Sequence, residues 1–173
     1  MAKRKIFTYG NPILRQKAQP ITEITQEIEE IINDMIETMY EAPGIGLASN
    51  QIGIAKQIIV IDMKVKNPQS KAVAILNPKI TASSGEYICE EGCLSFPEIN
   101  IDVKRFSSIK VQGMNINGER IEFEENDLVA RIFQHEIDHL NGILFIDHIN
   151  FVRKQLLRKD LKKLEELSRS KKE

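Results

Sequence analysis

Apolar residues recur at helical spacing between about residues 26 and 41. They fall at i, i+3, i+4, i+7, i+8, i+11 and i+12, on one face of a helix: Ile28, Ile31, Ile32, Met35, Ile36, Met39 and Tyr40. Thr25 can cap the start of this helix. The following segment, "APGIG", contains Pro43 and two glycines and does not sustain a helix. We therefore predict an amphipathic helix over about 26–41.

Short apolar segments that are partly β-branched occupy the middle of the chain. "QIIVID" (57–62) and "AVAIL" (72–76) have the length and composition of strands. Residues 107–125 form a predicted hairpin with apolar residues on both arms: Ile109, Val111, Ile121 and Phe123. Asn117-Gly118 is typical of a type I′ turn between the arms. Residues 1–24, which contain Pro12 and Pro20, are predicted to be irregular.

Two further helices are predicted toward the C-terminus. One covers about 127–140, with Asn126 or Asp127 as its cap and Gly142 at its end. The other covers about 150–167 and carries one narrow apolar stripe: Leu157, Leu161 and Leu164. Strands in the middle and helices toward the two ends predict an α+β fold. Small antiparallel or mixed sheets would surround the helix at 127–140, and a C-terminal helix would follow.

Length, charge and cysteine content limit the classes of protein to which this chain can belong. A chain of 173 residues fits one domain, and a net charge of −1 gives no overall attraction to DNA or to a membrane surface. No apolar run reaches the roughly 18–20 residues of a membrane span. The start, "MAKRKIFTYGNP", has no apolar stretch behind its positive charges, so no secretory signal is predicted. With only two cysteines, Cys89 and Cys93, a reducing cytoplasm is the simpler interpretation.

The helix predicted at 127–140 contains the pattern H-E-x-x-H, formed by His135, Glu136 and His139. A rotation of about 100° per residue places both imidazoles on one face, about 40° apart, where they can chelate one ion. Glu136 is offset by about 100°, where a general base beside a metal-bound water stands. The histidines could instead be core or surface residues, but the chain has only three, and two flank a glutamate at this spacing. The pattern favours a metal site.

A catalytic site of this type needs a third protein ligand. Metzincin proteases place a histidine where this chain has Phe145, and His148 comes three residues too late. Glu165 or Glu166 could complete a zincin-type peptidase. Both lie among lysines on a predicted exposed helix face, which favours a solvated role for them.

Cysteine is the upstream alternative for the third ligand, because a thiolate binds divalent transition metals strongly. Cys93 lies in "EEGCLSFP", a segment bounded by glycine and proline. From composition alone, an incidental buried thiol is an equally open interpretation of Cys93. Cys89 lies in "GEYICE", which is typical of a strand, and we interpret it as a packed thiol.

Three stretches together resemble the motifs of one family, the peptide deformylases: "GIGLASNQIG" (44–53), "EGCLS" (91–95) and "QHEIDHLNG" (134–142). The usual family forms are G-I-G-L-A-A-x-Q, E-G-C-L-S and Q-H-E-x-D-H. The order of the three stretches and their spacing of roughly 40 residues also match, and the resemblance covers about residues 20–150. It implies a catalytic domain over 1–150, with 151–173 as a basic helical extension of the same domain.

The activity implied by this resemblance is removal of the N-formyl group from the N-terminal formylmethionine of newly synthesised proteins, with release of formate. The implied metal ligands are Cys93, His135 and His139, and Glu136 is the implied catalytic acid and base. The family generally uses ferrous iron, which is therefore the expected ion. Zinc, nickel or cobalt could occupy the same ligands, because one thiolate and two imidazoles do not select sharply among them.

Further site residues follow from the same resemblance. The side-chain amide of Gln51 and the backbone N–H of Leu94 would donate to the developing oxyanion. Gly46 matches a backbone contact to the peptide, and an apolar methionine pocket is predicted from residues near the motifs: Ile45, Leu128 and Ile132. Gln134 and Asp138 are interpreted as supporting groups rather than ligands.

The chain departs from the family pattern at a few positions. Ser49 replaces an alanine of the first motif. A common arginine several residues after the cysteine motif is absent, and Asn100 stands near its place. Whether Arg105 substitutes for it stays open. These departures affect details of peptide binding and not the reaction.

The C-terminal segment bears on the partners. Residues 151–173 hold nine Lys or Arg and four Asp or Glu. A solvated helix face is the default interpretation of such a run, and docking on the ribosome is the functional alternative. The expected partners are nascent formylated polypeptides, with neither a membrane nor specific DNA. The expected location is the bacterial cytoplasm, with an organelle as the alternative.

A protein of another class would keep the metal only for folding and would act as a ribosome-associated or peptide-binding protein without catalysis. Such a structural site needs neither a general base nor an oxyanion donor. The presence of Glu136 and Gln51 therefore argues against this alternative.

Overall fold

The computed structural model describes residues 3–170. Seven strands form two antiparallel sheets: β1 (Gly46–Ala48), β2 (Ile58–Asp62), β3 (Ala72–Ser84), β4 (Tyr87–Cys93), β5 (Phe96–Arg105), β6 (Ser108–Met114) and β7 (Arg120–Asn126). The larger sheet has the order β1-β2-β3-β6-β7, and β4 pairs with β5 in a separate hairpin. Four α-helices accompany them: α1 (Gln26–Glu41), α2 (Asp127–Leu140), α3 (Phe151–Leu156) and α4 (Arg158–Ser170). The predicted α+β class is confirmed.

Helices α1 and α2 cover opposite faces of the larger sheet. Side chains of a strand point alternately to the two faces, and the apolar run of β2 follows this alternation. Ile58 and Val60 belong to the core cluster that contains α1. Ile59 and Ile61 belong to the cluster that contains α2. Because β2 is buried on both sides, its sequence is continuously apolar rather than alternating.

The helices predicted at 26–41 and 127–140 are confirmed, since α1 and α2 have these bounds. The Thr25 hydroxyl accepts a hydrogen bond from the N–H of Ile28, as expected of a cap. Asn126 occupies the cap position of α2 without a side-chain hydrogen bond. Gly142 adopts a φ of 72° directly after α2, which is the left-handed conformation that ends many helices.

The segment "AVAIL" is only the first part of a longer strand. Residues 72–76 of β3 pair with β2, whereas the rest of β3, up to Ser84, pairs with β6. This second part, "NPKITASS", is polar and contains Pro78, so its pattern does not indicate a strand. The pairing of β3 with β6 is irregular at two places, between Leu76 and Lys79 and between Ile80 and Ala82, and the register shifts at each. The first irregularity accommodates Pro78.

The hairpin predicted at 107–125 is present as β6 and β7, but the type I′ turn is wrong. A type I′ turn needs positive φ at both central residues. Gly118 has a φ of 80°, and Asn117 is not among the residues with positive φ. The loop is longer because the Asn115 side chain accepts hydrogen bonds from the N–H groups of Asn117 and Glu119.

The single helix predicted at 150–167 is also wrong, since the chain forms α3 and α4 with a break at Leu157. The two segments bury different amounts of surface. Helix α3 has no buried residue, whereas Leu161 and Leu164 of α4 are buried in a third apolar cluster that contains β5. The break lets α4 direct its leucine stripe into this cluster. Within residues 3–170, no helix has the length and apolar content needed to span a membrane.

Candidate active site

Helix α2 and the end of β4 bring one sulfur atom and two imidazoles together. The ligand atoms of Cys93, His135 and His139 all lie within 4.8 Å of one another. Nε2 of His139 is 3.3 Å from Nε2 of His135 and 3.3 Å from Sγ of Cys93. Both imidazoles are buried. The spacing of one helical turn places the two histidines side by side, as predicted. The β4–β5 hairpin places the thiol of Cys93 next to them.

The chemistry of this cluster fits one transition-metal ion. Nδ1 of His135 lies 2.9 Å from Oε2 of Glu91, so a carboxylate holds the ring nitrogen that faces away from the cluster. This arrangement leaves Nε2 of His135 as a lone-pair donor, as is common for metal-binding histidines. A thiolate and two imidazoles form a donor set typical of zinc, iron and related ions.

Burial changes the titration of two groups at the cluster. It lowers the pKa of His139 well below its usual range, which keeps that imidazole neutral. Burial also raises the pKa of the Glu136 carboxyl to about 7. A carboxyl group with this pKa both accepts and releases a proton near neutral pH, which suits a general acid and base.

Glu136 lies against the edge strand β1. A Cβ atom on Gly46 would lie 2.5 Å from Oε1 of Glu136 and 2.9 Å from Cγ2 of Ile132. Only glycine therefore fits at position 46 without moving the carboxylate. Oε2 of Glu136 is buried and has no hydrogen-bond partner among residues 3–170, so it is free to act on a bound molecule.

The side-chain amide of Gln51 has a fixed orientation. Its Oε1 accepts a hydrogen bond of 2.9 Å from the N–H of Ala48. Its NH₂ group consequently points at the cluster, 3.2 Å from Oγ of Ser95 and 3.6 Å from Sγ of Cys93. Leu94 occupies the turn between β4 and β5, directly after Cys93. The Gln51 amide thus lies beside the thiol, and Leu94 is the next residue along the chain.

A buried ion-pair network behind His135 was missed by the sequence analysis. Arg105 donates to Glu91 through Nε at 2.8 Å and Nη2 at 3.0 Å. Nη1 of Arg105 donates to Asp138 at 2.6 Å, and Nε2 of His148 lies 2.7 Å from the same carboxylate oxygen. Arg105 therefore supports the histidine side of the cluster. Asp138 acts as a supporting group, as expected.

Gln134 is the second supporting residue that was predicted. Its Oε1 accepts a hydrogen bond from the N–H of Phe106 at 3.0 Å, and its Nε2 donates to the Phe106 carbonyl at 2.8 Å. This reciprocal pair ties α2 to the connection between β5 and β6. It fixes the helix that carries both histidines.

The cluster opens into a cleft of about 520 Å³. Its walls come from the first motif, the β4–β5 hairpin and α2: Pro43, Gly44, Ile45, Gly46, Gln51, Glu91, Gly92, Cys93, Leu94, Phe96, Pro97, Glu98, Asn100, Arg131, Ile132, His135 and Glu136. Ile45 and Ile132, two residues of the predicted methionine pocket, line this cleft. Asn100 is also present in the lining.

Leu128 does not belong to this cleft, contrary to the prediction. It is 37% exposed and absent from the lining. Seven residues before His135 correspond to two helical turns, or about 10 Å along α2, which places Leu128 beyond the cleft. Arg131, one turn before His135, lines the cleft instead.

A family model described as polypeptide deformylase matches residues 3–155. The chain belongs to the polypeptide deformylase family. It is 44% identical over 162 residues to the peptide deformylase of Thermodesulfovibrio yellowstonii, covering 94% of this chain and 98% of that protein. It is 46% identical over 163 residues to the peptide deformylase of Syntrophobacter fumaroxidans, covering 94% of this chain and 96% of that protein.

Solved structures of deformylases share the fold. A plant peptide deformylase gives a TM-score of 0.92 at 36% identity, covering 99% of this chain and 94% of that one. The peptide deformylase of Legionella pneumophila gives 0.88 at 38% identity, covering 96% and 97%. The predicted family and fold are confirmed, and the zincin-type peptidase is not favoured. Glu165 and Glu166, its would-be ligands, do not belong to the cluster of Cys93 and the two histidines.

Proposed function

We propose that this protein hydrolyses the formamide at the N-terminus of formylmethionyl polypeptides and releases formate and a free amino group. The observation that carries the proposal is the position of Glu136 and Gln51 beside the cluster of one thiol and two imidazoles. A deformylase needs a proton carrier and an oxyanion donor at its metal centre, and the cleft supplies both.

In the proposed complex, the substrate contacts the edge strand β1 and the apolar residues that line the cleft. Among residues 3–170, β1 pairs on one side only, with β2, so an extended peptide can add beside it at Gly46. The methionine side chain then lies against Ile45, Leu94 and Ile132. The absence of a side chain at Gly46 lets the Glu136 carboxylate lie close to β1, beside the bound formyl group.

Each polar residue has one task in the reaction. Cys93, His135 and His139 would hold the metal ion, which when bound polarises the formyl group and makes a water nucleophilic at neutral pH. Glu136 takes the proton from the attacking water and passes it to the leaving amine. The Gln51 amide and the Leu94 N–H donate to the formyl oxygen as it becomes negative, and such a donor contributes about 3 kcal/mol.

Ferrous iron is the proposed ion, with zinc, nickel and cobalt as alternatives that the same ligands accept. The donor set alone does not choose among them. With iron, oxidation of the ion or of Cys93 inactivates the protein. Activity that falls in air and survives under anaerobic handling supports iron.

The remaining assignments concern location and partners. The protein acts in the bacterial cytoplasm on nascent chains. The catalytic domain spans residues 1–150 and its helical extension spans 151–173; residues 1–2 and 171–173 lie outside the described part of the chain. Basic side chains of α3 and α4 dock on the ribosome. The excess of Lys and Arg over Asp and Glu in residues 151–173 supports this assignment, because ribosomal RNA is negatively charged.

The test of the reaction compares matched peptides. Formyl-Met-Ala-Ser and acetyl-Met-Ala-Ser are incubated with the metal-loaded protein, and the products are identified by mass spectrometry. Loss of the formyl group alone, with the acetyl peptide intact or much slower, supports deformylation. Cleavage of a peptide bond, or no reaction of either peptide at full metal loading, contradicts it.

A further inference from the structure

We propose that Arg131 gives the protein a preference for substrates with an acidic side chain at one of the two positions after the formylmethionine. The inference rests on the proposed function, because it concerns the peptide that occupies the same cleft. Arg131 lies in α2 and lines the cleft, together with Ile132 and His135. It belongs to none of the motifs that carry the family resemblance.

The guanidinium of Arg131 is anchored but not neutralised. Its Nη1 donates a hydrogen bond of 2.9 Å to the backbone carbonyl of Glu90, which ties α2 to β4. In the part of the chain that the structure describes, no carboxylate lies within ion-pair distance of it. A guanidinium carries five N–H donors, so most of them remain available to a bound molecule. A planar donor set of this kind matches a carboxylate.

The charges around the cleft make Arg131 the cation that an incoming peptide meets. Among the lining residues it is the only arginine, and no lysine is present. Of the lining carboxylates, Glu91 is committed to Arg105 and Glu136 to the reaction. Glu98 remains, on the exposed strand segment after Cys93. A peptide with an acidic side chain therefore gains an attraction to Arg131. Glu98 is the one lining carboxylate left to repel it.

The position of Arg131 along α2 sets which substrate residue it reaches. It precedes His135 by one helical turn, which is about 6 Å along the axis. An extended peptide advances about 3.3 Å per residue. For a peptide that runs from the cluster along α2 toward Asp127, the guanidinium is level with the first or second residue after the formylmethionine. Arg131 is half-buried, and partial removal from water strengthens an ion pair relative to a fully exposed one.

The experiment measures kcat/KM for formate release from four C-terminally amidated peptides: formyl-Met-Asp-Ser, formyl-Met-Asn-Ser, formyl-Met-Ala-Asp and formyl-Met-Ala-Asn. Aspartate and asparagine differ in charge and hardly in size, so their ratio isolates the electrostatic effect. We expect the aspartate peptide to be preferred about three- to fivefold at one of the two positions. The preference should shrink in 0.5 M salt, where the Debye length is below about 5 Å.

Four variants test the assignment to Arg131. In Arg131→Gln the ratio falls to about one, while Arg131→Lys retains part of it because the charge remains. Arg120→Gln is the matched control, since Arg120 is an exposed arginine in the β6–β7 hairpin and outside the cleft lining. It keeps the wild-type ratio. Glu98→Gln keeps or strengthens the preference, because it removes the repelling carboxylate.

Some results overturn the inference. These are a wild-type ratio of about one at both positions, an unchanged ratio in Arg131→Gln, and a lost ratio in Glu98→Gln. Absence of formate from every peptide counts against the proposed function instead. In that case, calorimetry measures the affinities of Met-Asp-Ser-amide and Met-Asn-Ser-amide and tests Arg131 without catalysis. Tighter binding of the aspartate peptide that disappears in Arg131→Gln supports the inference. Equal binding of the two peptides overturns it.

Discussion

Arg105 holds the carboxylate of Glu91 through two hydrogen bonds, of 2.8 Å from Nε and 3.0 Å from Nη2. Both side chains are buried, and Glu91 also contacts Nδ1 of His135 at 2.9 Å. Glu91, in the β4–β5 hairpin, is thereby fixed between the guanidinium of Arg105 and the imidazole of His135. The stability of the fold and the orientation of His135 depend on the same pair.

Replacing Arg105 by methionine removes one partner of this pair and leaves the buried carboxylate of Glu91 with His135 but without its guanidinium. We expect a loss of about 3–5 kcal/mol in the free energy of unfolding, measured by urea denaturation of the metal-free protein. Arg120→Met, on the exposed hairpin, serves as the control and should change the free energy by less than about 0.5 kcal/mol. A loss below about 1 kcal/mol in Arg105→Met would show that the pair contributes little.

The two cysteines should differ in their effect on metal binding. Cys93→Ala removes one of the three proposed ligands. Its metal affinity should therefore fall by more than about 10- to 100-fold, the loss that is typical when a residue supporting a ligand is removed. Cys89→Ala should keep the metal, because Cys89 is not part of the cluster. Metal content after dialysis and the thiolate-to-metal absorption of the cobalt form give the readout. Retained absorption in Cys93→Ala would disprove the ligand assignment.

Gly46→Ala should damage the reaction more than the fold. The new Cβ would lie 2.5 Å from Oε1 of Glu136, so the carboxylate must move. A displacement of about 1 Å can cost about 10²-fold in rate, and we expect a loss of this order in kcat/KM. Gly118→Ala is the control. Its Cβ meets only Ile24, at 3.7 Å, and its positive φ makes it a strained substitution in the hairpin. It should lower the melting temperature and leave kcat/KM unchanged; equal kinetic losses in both variants would contradict the role of Gly46.

Asp147 should stabilise the fold in a pH-dependent manner. Burial tends to raise the pKa of Asp147, but hydrogen bonds from Arg15 and from the Leu144 N–H outweigh burial and hold the pKa below its usual range. A carboxyl group with a lowered native pKa stabilises the fold above its unfolded pKa of about 4 and loses this effect as the pH falls. Asp147→Asn should therefore melt about 2–4 °C below the wild type at pH 7, and the difference should shrink below about pH 4. A difference that stays constant down to pH 3 would contradict the assignment.

Local patterns predicted α1, α2 and two of the three residues of the cluster. The spacing of His135 and His139 fixes their common face once α2 forms, and the periodic apolar residues of α1 and α2 made both helices visible. The break at Leu157 has no such signal, because neither glycine nor proline is present there. It reflects how α4 packs on β5, which is a tertiary effect.

The rest of the site depends on pairings between distant residues. From composition alone Cys93 was a candidate third ligand no better supported than an incidental thiol, and the family motifs decided for it. No local pattern shows that the β4–β5 hairpin brings this thiol to the histidines. Glu91 and Arg105 are 14 residues apart on the same hairpin, and their contact was missed for the same reason. Arg131 could have been found, because a residue one turn before His135 on the same helix must lie near the site.

In the proposed deformylation, Glu136 moves the proton from the attacking water to the leaving amine. The most direct measurement is kcat for formate release from formyl-Met-Ala-Ser by the wild type and by Glu136→Gln, with the metal content determined in the same anaerobic samples. We predict equal metal content and a decrease in kcat of at least about 10²-fold in the variant. A variant that releases formate at the wild-type rate with its metal in place would contradict the account.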